Sequence, residues 1–227
     1  MTVRVGAAAA VLVVSSIASA SAAGVRDAED GISFEVSPAH VLVDQPVRVR
    51  VTGLRPGQEV TLEASTEDTQ AITWRARAAV RADRAGVVDT RGAMKLFWSM
   101  RPVGKFEAPP AFMPQLRDST IRLSAFIGTR RVASGRVLRD LEAPDVAVRE
   151  LTLAGDGLVG SYLAKPDRAP APAVLQLGGS LGGHSSLPAG LLASHGFPTL
   201  SLAYFGEDRL PSTLRDIPLE YFARALA

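Results

Sequence analysis

The alternation of apolar and polar residues along the first two-thirds of the chain constrains its fold more than any other feature. Val47-Arg48-Val49-Arg50-Val51-Thr52 alternates residue by residue, Arg55-Pro56-Gly57 supplies a turn, and Val60-Thr61-Leu62-Glu63-Ala64-Ser65 alternates again. Trp74, Ala76, Ala78 and Val80 share one face, opposite Arg75, Arg77 and Arg81, and Ile121, Leu123, Ala125 and Ile127 repeat the theme. Successive side chains of a strand point to opposite faces, so this period belongs to antiparallel strands with one face buried and one wet. Strands of this kind, separated by turn residues, predict an immunoglobulin-like β-sandwich over residues 32–146. The arginines on its outer faces read as solubilising.

Residues 90–118 interrupt this pattern with KLFWSMRPVG and EAPPAFMPQL. A connection that long without regular structure is commonly functional or mobile. Phe97, Trp98 and Met100 are too apolar for a free linker. Either they cap the sandwich or pack on the next domain, or they form a substrate-facing loop, which makes Trp98 a candidate ligand contact.

From residue 147 the grammar changes. Residues 148–153 and 158–164 predict a hairpin turning at Gly155-Asp156-Gly157, and the Pro/Ala stretch 165–172 precedes an apolar run, 173–177, typical of a central parallel strand. Residues 186–195 carry helix signals, with Pro188 in the first turn and Gly196 just past the last. PTLSLAY (198–204) predicts another strand. A helix is expected from Asp216, with Leu219, Phe222 and Leu226 on one face and Glu220 and Arg224 as an i,i+4 pair. Strand, helix, strand, helix is the start of a doubly wound α/β sheet. The whole predicts an α+β chain of two domains, 32–146 and 147–227.

Gly178-Gly179-Ser180-Leu181-Gly182 is a literal G-x-S-x-G between the 173–177 strand and a helix, the setting of a nucleophile elbow. An elbow serine needs a general base and an acid to orient it, in the order Ser, acid, His. Downstream of Ser180 stand Glu207, Asp208, Asp216 and Glu220, and no histidine follows any of them. The strand is also the third of its domain, and the loop after the third strand contributes backbone N–H groups to the oxyanion hole. Glycines suit that task because they let amides approach a developing charge closely. Ser180 therefore reads as a member of an oxyanion loop or of a structural turn, with Gly179, Ser180 and Leu181 as the backbone candidates. His184, at the mouth of the loop, is a candidate ligand contact; His195, closing a helix, and His40 read as structural.

Composition narrows the chemistry. Among 227 residues, 47% are hydrophobic and 21% charged, with a formal net charge of +2, and no Lys/Arg block of five or more points to nucleic acid. Cysteine is absent, which excludes a thiol nucleophile or Cys-ligated metal within these residues. The three histidines lack metal-binding spacing, so no metal site is expected. Residues 1–23 have the single cation (Arg4), short apolar stretch and small-residue ASASAA of a secretory signal peptide, with cleavage after Ala20 or Ala22. That stretch is short for a stable membrane span, which needs about 20 apolar residues. Export to the periplasm or medium is expected.

SPAHVLVDQPVRVRVTGLRPGQEVTLEAS, LFWSMRP, AVLQLGGSLGG, LLASHGFPTLSLAYFG and LPSTLRDIPLEYFARAL, in that order, resemble the acyl-CoA thioesterase / bile acid-CoA:amino acid N-acyltransferase family from residue 32 to 227. The resemblance implies a β-sandwich followed by an α/β-hydrolase domain, and cleavage of an acyl thioester by a Ser or Cys nucleophile through an acyl-enzyme. Water, or an amino acid such as glycine or taurine, then accepts the acyl group. No cofactor is implied; coenzyme A enters as part of the substrate. By the resemblance, 219–226 is the helix leading towards the nucleophile strand, and the elbow is expected on the order of 15–25 residues beyond Ala227. None of the three catalytic residues is then carried by this chain, which alone is expected to be inactive. Coenzyme A is mainly cytosolic, so an exported member would act on other acyl thioesters or on esters. Two other readings stand beside this one: a non-catalytic secreted β-sandwich acting as a binding module, and an exported esterase- or lipase-like α/β-hydrolase.

Overall fold

The structure is a computed structural model and describes residues 31–90, 93–166 and 171–226. The expected signal peptide at 1–23 lies outside the described residues, as do residues 167–170 of the Pro/Ala stretch.

The period-two segments become strands with the expected faces. β1 (Ser33–Ser37), β2 (His40–Leu42), β3 (Arg48–Thr52), β4 (Glu59–Glu67), β5 (Thr73–Arg81) and β6 (Val88–Thr90) come first. The short helix α1 (Met94–Trp98) and β7 (Arg101–Pro102) follow, then β8 (Ser119–Ile127) and β9 (Arg130–Asp140). They form a three-stranded sheet, β1-β3-β6, and a six-stranded sheet, β2-β9-β8-β4-β5-β7. Phe34, Val36, Val49 and Val51 from the first and Val60, Leu62, Leu123 and Val137 from the second make one buried core, which defines a β-sandwich. Each such side chain adds about 1.5–3 kcal/mol of hydrophobic stabilisation relative to exposure. Gly135 on β9 marks how closely the sheets approach, since a Cβ there would meet Phe34 at 2.9 Å and Val36 at 3.0 Å.

On the wet face the arginines also form cross-strand ion pairs: Arg77 with Glu63 at 2.7 Å and Arg81 with Glu59 at 3.2 Å. Within the segment expected to be irregular, α1 and β7 appear, and Phe97 and Met100 are buried. Trp98 is not; it is 75% exposed.

The remainder is a mixed four-stranded sheet, β10-β11-β13-β12. β10 (Ala147–Leu151) pairs antiparallel with β11 (Val159–Ala164) around α2 (Leu153–Asp156), so one helical turn stands in the predicted hairpin bend. Thr152 caps that turn through its side chain, and Gly157 closes it at φ 68°. β12 (Val174–Leu177) runs parallel to β13 (Thr199–Ala203), joined by α3 (Ser186–Ser194). β12 was expected at the centre of its sheet. Instead it is the edge strand of the described sheet, half-buried, with Gln176 inside its apolar run.

The last helix departs furthest from expectation. α4 (Leu219–Ala225) starts three residues late, because Asp216 adopts φ 55° and Pro218 is an extended N-cap. Its buried contact is Tyr221, while Leu219 and Leu226 are 78% and 73% exposed. Arg224 donates to the Gly157 carbonyl at 2.9 Å, and no Glu220–Arg224 pair is seen among the described residues. No helix among the described residues is long and apolar enough to cross a membrane.

Candidate functional site

β12 and β13 end side by side, and the loops beyond them meet. Ligands of open α/β sheets bind outside the carboxyl ends of such parallel strands. Residues 178–183 follow β12; Tyr204, Phe205, Gly206 and Glu207 follow β13. The Gly183 amide donates to the Phe205 carbonyl at 2.8 Å, and the Tyr204 hydroxyl donates to the Gly178 carbonyl at 3.0 Å. A turn closes on itself where the Gly182 amide meets the Gly179 carbonyl at 3.1 Å. Gly182 sits at φ 71°, and a Cβ there would lie 2.9 Å from the Phe205 carbonyl oxygen, so glycine is required on both counts.

Within this pinned loop, the amides of Gly179, Ser180 and Leu181 have no protein acceptor among the described residues. Leu181 is 97% exposed. The Ser180 hydroxyl is exposed and makes no hydrogen bond among the described residues, so nothing there activates it as a nucleophile.

His184 is held elsewhere. One carboxylate oxygen of Glu207 accepts from both the His184 amide (3.0 Å) and ring Nδ1 (2.8 Å). Facing a carboxylate, Nδ1 carries a proton. On the other side of the ring, Nε2 lies 2.8 Å from the Ser161 hydroxyl, which is 2.7 Å from Glu150 Oε2. The Ser161 hydroxyl bridges the His184 ring and the Glu150 carboxylate. Ser161, His184 and Glu207 thus have the connectivity of a nucleophile, base and acid. Ser161, however, is 1% exposed on β11 and out of reach of a substrate. The arrangement is a clamp that fixes the end of the glycine loop.

Sequence reasoning singled out His184 and the loop but missed Ser161 and Glu150, which only strand pairing brings to the site. Glu207 carried the one available signal, an acid just beyond a parallel strand.

The other sequence-derived residues lie apart. His195 caps α3 and bonds Asp44 of the sandwich at 2.7 Å. His40 bonds Asp140 at 2.5 Å, and Asp118 donates its amide to the same carboxylate at 2.6 Å. The donor atoms of His40, Asp118 and Asp140 lie within 4.8 Å of one another, a grouping that histidine spacing did not anticipate. They are engaged with one another and tie the start of β2 to the end of β9. Trp98 lines a separate apolar cavity on the sandwich, with Trp74, Phe97 and Phe112; no hydrogen bond or ring contact joins it to the glycine loop among the described residues.

Fold and site together define a β-sandwich joined to a β-α-β unit that presents a glycine-rich amide loop. Residues 44–152 match the family described as "Acyl-CoA thioester hydrolase/BAAT N-terminal region". It is 33% identical over 216 residues to "Acyl-coenzyme A amino acid N-acyltransferase 1" of Mus musculus, covering 86% of this chain and 51% of that protein. To "Acyl-coenzyme A thioesterase 6" of Homo sapiens it is 35% identical over 199 residues, 81% of this chain and 47% of that one. "Bile acid-CoA:amino acid N-acyltransferase" of Homo sapiens is 32% identical over 215 residues, 86% and 51%. The chain spans about half the length of these relatives.

Proposed function

We propose that the chain is the N-terminal part of an acyl-thioester hydrolase or acyltransferase, and that residues 178–183 are its oxyanion loop. The observation that carries this reading is the trio of amides at Gly179, Ser180 and Leu181, without protein acceptors among the described residues, on a loop fixed by Phe205, Tyr204 and the His184–Glu207 clamp. Donors held in place before charge develops stabilise a tetrahedral oxyanion without reorganisation, and removing one costs about 10²–10³ in rate. The parallel β12–α3–β13 unit fits the beginning of an α/β-hydrolase sheet. The nucleophile lies outside the described residues in this reading, because Ser180 is unactivated and Ser161 is buried. Export by residues 1–23 belongs to the same proposal, as does an acyl thioester substrate whose thiol need not be coenzyme A.

Thiol release from decanoyl-CoA tests this; the 227-residue chain has no cysteine, so with it a thiol reagent reads only the product, and for the longer polypeptide an enzyme-only blank is subtracted. The 227-residue chain is expected to release none, and the longest polypeptide encoded by its source reading frame is expected to release thiol. Turnover by the 227-residue chain, or none by the encoded protein with any acyl thioester, contradicts the proposal.

A further inference from the structure

The cavity beside Trp98 has a feature that sandwich packing does not require. It lies between α1, the 103–118 segment and the six-stranded sheet, with a volume of about 270 Å³. Trp74, Phe97, Trp98, Phe112 and Ile121 make its apolar walls, and among the described residues Arg139 is the only charged one that lines it.

Arg139 is 3% exposed. Its Nη2 donates to the Val43 carbonyl and, at 3.4 Å, to that of Leu42; its Nη1 lies 3.4 Å from the Met94 sulfur. The guanidinium stacks over Phe97, 5.1 Å from the ring centroid. Its Nε is buried with no hydrogen-bond partner. Among the described residues no carboxylate lies within ion-pair distance of it; Asp44 acts only through its longer-range charge. Burial pulls the Arg139 guanidinium below its ordinary pKa, yet an arginine stays charged at neutral pH. The protein therefore holds a desolvated cation in the wall of an apolar cavity, its Nη2 shared among the neutral carbonyls of Leu42, Val43 and, at 3.5 Å, Gln45, and its Nε buried without a partner. Buried charges are ordinarily paired, and buried donors satisfied.

We propose that this cavity binds a carboxylate carried on an apolar chain, the carboxylate pairing with Arg139 and the chain lying among Trp74, Phe97, Phe112 and Trp98. A planar guanidinium fork matches a carboxylate, and an apolar cavity with one convergent polar group is the usual form of a small-molecule site. The proposal rests on the acyl-thioester reading for its biological ligand, since thioester hydrolysis releases such an acid. Its test needs no turnover, so the two readings fail separately.

Trp74 and Trp98 are the only tryptophans in the sequence and both line the cavity, so intrinsic fluorescence of the 227-residue chain reports its occupancy. Decanoate, titrated below its micellar concentration at pH 7, is expected to give a saturable change. Decanol, the neutral analogue, is expected to bind at least ten-fold more weakly. Arg139→Gln, checked for folding by circular dichroism, is expected to bind decanoate no better than the wild type binds decanol. Should that variant not fold, the decanoate–decanol comparison on the wild type decides alone. Equal affinity for acid and alcohol, or no saturable signal, overturns the proposal.

Discussion

Asp68 shows how one buried carboxylate organises the segment around the sandwich cavity. It accepts from the amides of Gln70 (2.9 Å) and Ile72 (3.0 Å), from the Trp74 indole (3.0 Å) and, at the long limit of 3.5 Å, from the Met113 amide. Burial alone would raise its pKa; the donors, Ile72 and Trp74 foremost, outweigh burial and hold it below the ordinary carboxylate value. A carboxyl depressed in the folded state adds stability that is present above its unfolded value, near 3.9, and lost as pH falls through the lower folded value. Asp68→Asn is therefore expected to lower stability at pH 7 by about 1–3 kcal/mol and to narrow its gap to the wild type below about pH 4. Urea denaturation of both proteins from pH 2.5 to 7 checks this; a gap constant across that range contradicts it.

At the scale of elements, the sandwich was legible because period two is a local signal. Val47, Val49 and Val51 are all at most 1% exposed, as alternation alone requires. Less legible was how closely the two sheets approach. Gly135 breaks the β9 pattern, and its reason lies across the core in Phe34 and Val36. Gly135→Ala is expected to destabilise the chain by about 1–3 kcal/mol through overpacking, measured by thermal unfolding; an unchanged Tm contradicts so close an approach. Helix α4 was misread for the opposite reason, since its apolar residues were assigned by period alone. The Tyr221 hydroxyl donates to the Ala203 carbonyl at 2.7 Å and accepts from the Val159 amide at 2.9 Å. Those two bonds between β11 and β13 select the face that is buried and leave Leu219 and Leu226 outside. Burial in turn raises the Tyr221 pKa.

At the scale of the whole molecule, the sandwich and the four-stranded sheet are joined through α3. The Ser194 hydroxyl accepts from the Ala143 amide at 2.8 Å, and His195 reaches Asp44. The glycine loop was legible as a loop because four glycines fall within six positions, 178–183. Its clamp was not, because Glu150, Ser161, His184 and Glu207 are spread over 58 positions of sequence, from 150 to 207, and converge only through the pairing of β10, β11 and β13. Arg139 was invisible for a similar reason: one arginine among many on alternating strands carries no mark of being inward. In the proposed function the glycine loop supplies amides and Ser180 is no nucleophile. That reading is tested most directly by thiol release from decanoyl-CoA, comparing Ser180→Ala with Gly182→Ala in the longest polypeptide the source reading frame encodes. Ser180→Ala is expected to keep activity within a few-fold, while Gly182→Ala, forcing a Cβ towards the Phe205 carbonyl, is expected to lose about 10²-fold or more. Loss of activity in Ser180→Ala with Gly182→Ala unaffected would contradict it.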